Sequence, residues 1–237
     1  MLRRSYIFLS LTILFLLLAG GALCFIPKGE LHLLLCDHHT AAGDFFFRYY
    51  TVVGEWVPYV IAVLLLLYRK EWGLMVVAGI VLSGLTTQVL KHIVDAPRPL
   101  TWFAAAMPDV TLPLVDGVRM SQFYSFPSGH TTSFFALFLI LCWVAGEALD
   151  NRIAPPTPAP APATPSAKRR VAWCSALVQV VFFALALLGG YSRIYLSQHF
   201  LLDVAAGALV GVLITLALLP LLPLFSKLPV KRFCSNK

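Results

Sequence analysis

Six long apolar stretches constrain the fold of this chain more than any other feature of its sequence. A helix of about 20 apolar residues crosses the hydrocarbon core of a bilayer. Of the 237 residues, 59% are hydrophobic and only 12% are charged, which leaves little polar sequence for a water-soluble domain. We predict an all-α polytopic membrane protein, with six transmembrane helices in a single domain over residues 1–237. The stretches are residues 6–25, 52–67, 72–90, 131–149, 171–190 and 202–225.

Three of the stretches depart from a plain spanning helix. Glu55 lies near the start of the second, where a charge is uncommon. Pro220 and Pro223 lie in the last, so we expect its end to be kinked or frayed. The first follows two arginines, as in a secretory signal peptide, but its apolar run is longer and no cleavage site of small residues follows. We interpret it as an uncleaved first helix.

The net charge of +7 follows the predicted membrane topology. With six spans and both termini in the cytoplasm, 12 of the 18 basic residues fall in cytoplasmic segments, which is the positive-inside distribution. We therefore expect the basic residues to orient the chain and to contact anionic lipid, and we expect no nucleic-acid partner. The 12 residues are Arg3, Arg4, Arg69, Lys70, Arg152, Lys168, Arg169, Arg170, Lys227, Lys231, Arg232 and Lys237.

Two segments between the stretches carry no predicted chemistry. Residues 154–166 form a Pro/Ala-rich cytoplasmic linker, which we expect to be an extended spacer, with docking of a protein partner as the alternative. Cys36, Asp37, His38 and His39 are consecutive, and consecutive side chains point in different directions, so they converge poorly on one metal ion. We interpret this run as an interfacial loop, with a metal site as the alternative.

Three polar clusters share one side of the membrane in this topology. The topology rests on apolar runs and flanking charge alone, so the shared side is an independent observation. Taken singly, each residue has an ordinary explanation as an interfacial anchor, a helix cap or a charge at a helix end. Those explanations do not account for the common location. The clusters are Lys91 with Arg98, the sequence PSGH at 127–130, and Arg193 with His199 and Asp203.

His199 and Asp203 are four residues apart, a spacing that places both on one face of a helix. The carboxylate then accepts a hydrogen bond from one imidazole nitrogen and leaves the other free to attack. A carboxylate that enters an apolar span usually has a partner or a function. We therefore predict that His199 is a nucleophile and that Asp203 orients it.

The start of the fourth stretch is suited to an anion and to proton transfer. Ser128 is a favoured N-cap residue, and the free N–H groups at a helix N-terminus bind anions. Gly129 lets a ligand approach the backbone closely. His130 is placed to give a proton to a leaving oxygen.

Lys91, Arg98 and Arg193 add three positive charges to the predicted site. Lys91 and Arg98 are about two helical turns apart, before Pro97 and Pro99 break the helix. Arg193 is expected in the turn ahead of the last helix, pointing back. Such cations suit phosphate oxygens, so the clusters together indicate phosphoryl transfer. Because the cations take the role of a metal and no set of carboxylates is available for Mg²⁺, we predict no metal and no cofactor.

These residues closely resemble the signature of the type 2 phosphatidic acid phosphatase superfamily. Its three parts are K-x6-RP, PSGH and SR-x5-H-x3-D, and every fixed position is present here with its spacing intact. The resemblance covers mainly residues 91–203 and the six-span plan. It implies a phosphohistidine on His199, orientation of His199 by Asp203, and protonation of the leaving group by His130. The phosphate-binding residues that it implies are Lys91, Arg98, Ser128, Gly129 and Arg193.

The resemblance also implies a lipid phosphate as substrate, because an apolar tail can stay in the bilayer while the headgroup reaches His199. We expect a bacterial inner-membrane phosphatase with its active site facing the periplasm or exterior. Lipid A phosphate is the first candidate substrate, with undecaprenyl pyrophosphate and phosphatidylglycerophosphate as alternatives. Residues 26–51 and 100–124 are expected to select the headgroup. A lipid phosphotransferase with the same intermediate is an alternative, and a transporter is a remote one, because transporters place polar groups near the bilayer midplane.

Overall fold

The computed structural model describes residues 2–153 and 164–228, which form a bundle of helices without a β-strand in either range. Apolar sequence of this length satisfies its backbone hydrogen bonds within helices, as a bilayer requires. The helices of the described part are α1 (Tyr6–Phe25), α2 (Lys28–Cys36), α3 (Ala41–Tyr68), α4 (Lys70–Val94), α5 (Pro99–Ala106), α6 (Gly129–Ile153), α7 (Pro165–Tyr195), α8 (Leu201–Leu218) and α9 (Leu222–Lys227).

The all-α polytopic prediction is confirmed. Within the described residues, five helical segments are long and apolar enough to cross a membrane, and α3 makes six if its two halves form one span. The halves, Ala41–Val52 and Gly54–Tyr68, meet at an angle of 44°. α3 begins well before the predicted second stretch, so Glu55 lies within a longer helix, close to its bend.

The two proline-rich regions have different outcomes. The predicted kink near Pro220 is confirmed, because α8 ends at Leu218 and a 3-10 turn, Leu219–Leu221, separates it from α9. Residues 154–163 of the predicted linker lie outside the described part of the chain. The last two residues of the linker were assigned wrongly, because Pro165 and Ser166 already belong to α7. Thr164 caps that helix by accepting from the Ala167 N–H at 3.3 Å, and a proline in a first helical turn loses no hydrogen bond.

α6 is the central helix of the bundle and contacts α3, α4, α7 and α8. Its large side chains are buried on several sides, whereas the outer faces of the surrounding helices keep apolar side chains exposed. An apolar outer surface of this kind faces lipid in a membrane protein. The most deeply buried large side chains of α6 are Phe134, Phe135, Leu139, Ile140 and Trp143.

Two glycines of α8 bring that helix against α6. A Cβ atom at Gly207 would lie 2.6 Å from the carbonyl oxygen of Ser128, and one at Gly211 would collide with the carbonyl oxygen of Thr132. Small residues at helix crossings let two backbones approach closely. The contact sets the first turn of α6 beside the first turn of α8, which is where the predicted site residues lie.

Candidate active site

The structure brings every residue of the predicted site to one end of the bundle. Lys91 lies in the last turn of α4, Arg98 directly before α5, and Arg193 in the last turn of α7. His199 lies in the short segment between α7 and α8. The residues brought together are Lys91, Arg98, Ser128, Gly129, His130, Arg193, His199 and Asp203.

Two local predictions about the cations were wrong. α4 ends at Val94, and Asp95 follows in the left-handed conformation with a φ of 40°, so Lys91 and Arg98 do not share a helix. Arg193 belongs to α7 and not to a turn ahead of α8. Lys91, Arg98 and Arg193 nevertheless interact electrostatically at the site. Pro97 and Pro99 lie beyond the end of α4, and Pro99 begins α5 with Arg98 in an extended conformation before it.

His199 and Asp203 are in contact, although not on one helical face. α8 begins at Leu201, so only Asp203 is helical, and the pair forms where the chain turns into the helix. His199 Nδ1 lies 3.4 Å from Asp203 Oδ2. The same oxygen accepts from Ser125 Oγ at 2.5 Å and from the Phe200 N–H at 2.9 Å. A carboxylate with three hydrogen-bond donors in the first turn of a helix is held ionised and fixed in place.

The imidazole of His199 is neutral at pH 7 in this setting. Burial lowers the pKa of His199 to about 4, although the hydrogen bond to Asp203 and its charge act in the opposite direction. The side chain is almost fully buried, and no hydrogen bond from the described residues engages Nε2. A neutral imidazole with Nδ1 held by a carboxylate keeps a lone pair on Nε2, as a nucleophile requires.

Ser128 caps α6, as the sequence predicts. Its Oγ accepts from the Thr131 N–H at 3.4 Å and from the Thr131 hydroxyl at 2.8 Å. Its own N–H donates to the carbonyl oxygen of Asp203 at 3.0 Å, which ties the caps of α6 and α8 together. Gly129 follows with open space beside it, because the nearest atom to a Cβ there would be Thr87 Oγ1 at 3.8 Å. A ligand has room to approach this helix N-terminus.

Arg98 is a buried cation held in a fixed orientation. Its Nε donates to the carbonyl oxygen of Phe123 at 3.0 Å and its Nη1 to Gln198 Oε1 at 2.9 Å. Only 9% of the residue is exposed. Gln198 directly precedes the predicted nucleophile, so the cation and the nucleophile are positioned by the same short segment.

Arg193 is equally buried and only partly satisfied. Its Nη1 donates to Thr51 Oγ1, but its Nε is buried without a hydrogen-bond partner. Electrostatic interactions connect Lys91 with Arg98 and Arg193. Buried like charges are unfavourable unless an anion compensates them. The cluster therefore fits an anion that carries more than one negative charge, and phosphate is such an anion.

His130 is paired with a carboxylate that the sequence did not assign to the site. His130 Nε2 lies 3.0 Å from Glu55 Oε1, which α3 brings to the start of α6. The side chain of His130 is 22% exposed and that of Glu55 is 54% exposed. This pair is therefore much more open than the pair of His199 with Asp203.

A cavity of about 470 Å³ extends from the site along α3 and α4. Glu55, Lys91 and His130 line its upper end, and Pro58 and Ile80 line its lower end. Lys91 and Ile80 are eleven residues apart on one helix, which corresponds to a depth of roughly 16 Å. The cavity thus joins a charged end to an apolar depth within the bundle.

Cys36 and His39, at the two ends of the consecutive run, lie in separate surroundings. Cys36 ends α2 in a buried position, and burial raises the pKa of its thiol to about 11. His39 Nδ1 lies 2.8 Å from Asp44 Oδ1, and its ring stacks on Tyr195. Among the described residues, no three His, Cys, Asp or Glu side chains are grouped as metal ligands.

The sequence reasoning missed four residues that contact the predicted site: Ser125, Glu55, Gln198 and Thr51. Glu55 gave a signal, because an acidic residue in an apolar stretch usually has a function, but its partner was not identifiable. Ser125 stands next to the PSGH run without a spacing rule that would assign it. Gln198 and Thr51 act through single hydrogen bonds to the arginines, which no pattern in the sequence indicates.

The geometry and the fold together describe a membrane phosphatase. The family model described as PAP2 superfamily matches residues 72–226, and the chain therefore belongs to the PAP2 superfamily. Among solved structures it is similar to Aquifex aeolicus LpxE, with 26% identity over 81% of this chain and 93% of that chain and a TM-score of 0.57.

A second solved structure has the same fold. It is a transmembrane PAP2 type phosphatidylglycerolphosphate phosphatase from Bacillus subtilis, with 23% identity over 99% of this chain and 100% of that chain and a TM-score of 0.57. No curated protein matches the chain. The resemblance drawn from the sequence signature is confirmed at the level of the superfamily and of the helical membrane fold.

Proposed function

We propose that this protein removes phosphate from an envelope lipid through a phosphohistidine on His199. The observation that carries the proposal is a group of three cations, with Arg98 and Arg193 buried and Lys91 partly buried, beside a buried, neutral histidine. The cations neutralise the charge of a phosphate group, and electrostatic stabilisation of this kind is commonly the largest contribution to catalysis. The membership of the PAP2 superfamily supports the same chemistry.

The reaction follows from the positions of the two histidines. His199 Nε2 attacks the phosphorus, a P–N bond forms, and the P–O bond to the lipid breaks. His130 gives a proton to the leaving oxygen and becomes neutral. Water then attacks the phosphohistidine, His130 takes a proton from that water, and the P–N bond breaks to release inorganic phosphate. Asp203 accepts a hydrogen bond from the Nδ1–H of His199 throughout the reaction. Its negative charge stabilises the positive charge that forms on the His199 ring.

The cavity along α3 and α4 supports a lipid as the substrate. Its apolar lower end suits an acyl or prenyl tail, and its upper end contains the charges that suit the headgroup. Trp56 and Tyr59 line the same cavity and are 65% and 55% exposed, so they face the surrounding lipid. A lipid is then able to enter from the side without leaving the bilayer.

Lipid A phosphate is our first candidate substrate. The 26% identity with LpxE over 93% of that chain is higher than the identity with the phosphatidylglycerolphosphate phosphatase. Undecaprenyl pyrophosphate and phosphatidylglycerophosphate are the next candidates. We further propose that the enzyme lies in the bacterial inner membrane with its site facing outward, because the opposite ends of the predicted spans carry most of the basic residues.

Phosphate release by the purified protein in detergent tests the proposal. The assay contains a chelator and offers lipid A, undecaprenyl pyrophosphate and phosphatidylglycerophosphate in turn. We expect release that survives the chelator, because three cations take the place of a metal, and no release by His199→Ala. A ³²P-labelled substrate leaves an acid-labile, base-stable label on the wild-type protein if phosphohistidine forms. Release by His199→Ala at the wild-type rate, or complete inhibition by the chelator, contradicts the respective part of the proposal.

A further inference from the structure

Glu55 is a charged residue of the site for which the superfamily signature has no position. It lies on α3, outside residues 72–226 that the family model matches. It also lies far in sequence from His130, the residue that it contacts, so the pair depends entirely on the packing of α3 against α6. This contact places a carboxylate beside the residue that we propose as the general acid.

The bend of α3 places Glu55 at this position. A Cβ atom on Gly54 would collide with the ring of Phe134 on α6, so the glycine allows the two helices to approach closely. The two halves of α3 meet at 44° around this residue. The next residue, Glu55, is thereby directed to the first turn of α6, where its Oε1 lies 3.0 Å from His130 Nε2.

The charges around His130 explain why a carboxylate is useful there. Besides Glu55, the described groups that interact most strongly with the charge of His130 are basic, and each repels a positive charge on its ring. These groups come from α4, the segment before α5, α7 and the segment before α8. They are Lys91, Arg98, Arg193 and His199. Repulsion of this kind works against the charged imidazolium, which a general acid needs, and an anionic partner offsets it.

We propose that Glu55 is a positioning residue that holds His130 in its protonated form and fixes its orientation for general-acid catalysis. The carboxylate accepts a hydrogen bond from Nε2–H, so Nδ1–H is the bond left to face the leaving oxygen. When the P–O bond breaks, the proton of Nδ1 moves to the lipid oxygen, and the ring stays bonded to Glu55 through Nε2. Glu55 also interacts electrostatically with Arg193, which keeps the carboxylate at the site.

This inference rests on the proposed phosphatase function and adds a substrate-dependent property to it. A lipid alkoxide is a poor leaving group and needs the proton of His130. A nitrophenolate is a good leaving group and needs little assistance. Loss of Glu55 should therefore slow the cleavage of a lipid phosphate much more than the cleavage of p-nitrophenyl phosphate.

The experiment compares kcat/KM of Glu55→Gln with wild type on a lipid phosphate and on p-nitrophenyl phosphate, across pH 5 to 9. We expect a roughly 10- to 100-fold loss on the lipid at pH 7.5 and a loss of about twofold or less on the aryl substrate. Removing the carboxylate lets His130 lose its proton at lower pH, so the basic limb of the lipid profile moves to lower pH. The loss on the lipid therefore shrinks as the pH falls.

Two further variants separate this role from a structural one. Glu55→Asp keeps the charge and should recover part of the lipid activity and of the wild-type basic limb. Asp150→Asn makes a comparable change at the other end of α6, where the carboxylate is also about half exposed and pairs with Arg4, and it should leave both substrates unaffected. An equal loss on both substrates without a shift of the basic limb, or no loss at all, would overturn the role assigned to Glu55. The wild-type and His199→Ala proteins test the proposed function separately. If the proposed function is wrong, the wild-type protein does not release phosphate from the lipid, or His199→Ala releases it at the same rate.

Discussion

The site contains two histidine–carboxylate pairs that differ in almost every physical property. His199 and Asp203 are 2% and 5% exposed at their side chains, whereas His130 and Glu55 are 22% and 54% exposed. Asp203 is held by three donors, but Glu55 has a single hydrogen bond. The buried pair keeps a neutral nucleophile in one orientation, and the open pair supports a group that must exchange protons with solvent. Burial thus separates the two tasks that histidine performs here.

Removal of the buried carboxylate should have the largest effect. Asp203→Asn replaces an oxygen that fixes the tautomer of His199, and a comparable change in a serine protease triad lowers kcat about 10⁴-fold. We expect a loss of roughly 10³- to 10⁴-fold in kcat on a lipid phosphate, measured as phosphate release. A loss no larger than that of Glu55→Gln would erase the distinction between the two pairs.

Ser125 supports the buried pair from outside the catalytic signature. Ser125→Ala removes the hydroxyl that donates to Asp203 Oδ2 at 2.5 Å. A hydrogen bond to a charged group contributes about 1.5–3 kcal/mol, so we expect kcat to fall roughly tenfold or more. Ser226→Ala is the matched control, because that hydroxyl is exposed and donates only to Pro223 near the far end of the chain. An unchanged kcat in Ser125→Ala would contradict this prediction. It would show that the other two hydrogen-bond donors, from His199 and Phe200, are enough to hold Asp203 in place.

The close contact of α8 with α6 keeps the two pairs at a fixed separation. Gly211→Ala places a methyl group against the backbone of Thr132, and overpacking of this kind costs about 1–3 kcal/mol. We expect a lower melting temperature in detergent and a reduced kcat. Gly84→Ala adds the same methyl group on α4 where no atom lies within 4 Å, and should melt as wild type does. Equal melting temperatures for the two variants would contradict this prediction, because α8 would then move away from α6 without a loss of stability.

The smallest effect concerns the pH dependence of stability. Burial lowers the pKa of both His199 and His32 to about 4. Between pH 4 and 6.5 the unfolded chain therefore binds more protons at these positions, and the folded state loses stability as the pH falls through that range. His32→Gln should give a flatter plot of melting temperature against pH in this range, and an unchanged slope would contradict the assignment.

The sequence predicts what depends on local pattern and fails where distant segments meet. The apolar stretches are local, and so are the spacings within each motif: Lys91 to Arg98, PSGH at 127–130, and Arg193 to His199 to Asp203. The helical bundle and the predicted site residues follow from them. Ser125 and Asp203 are 78 residues apart, and Glu55 and His130 are 75 apart. Such contacts arise from helix packing, which the linear pattern does not encode. For the same reason the helical placement predicted for His199 was wrong, because the start of α8 depends on capping by Asp203.

The crossing of α6 and α8 at Gly207 has a consequence for the range of lipids that the enzyme accepts. His130 stands on α6 and His199 directly precedes α8, so the distance between nucleophile and acid is set by backbone contact and not by a loop. The tail cavity extends between α3 and α4, and α6 lines it with Gly129, His130 and Ser133. A longer tail extends along α4 toward Pro58 and Ile80, away from the two histidines, so its length does not change the distance between nucleophile and acid. Variation in tail structure is therefore expected to alter KM far more than kcat, and the identity of the headgroup is expected to do the reverse.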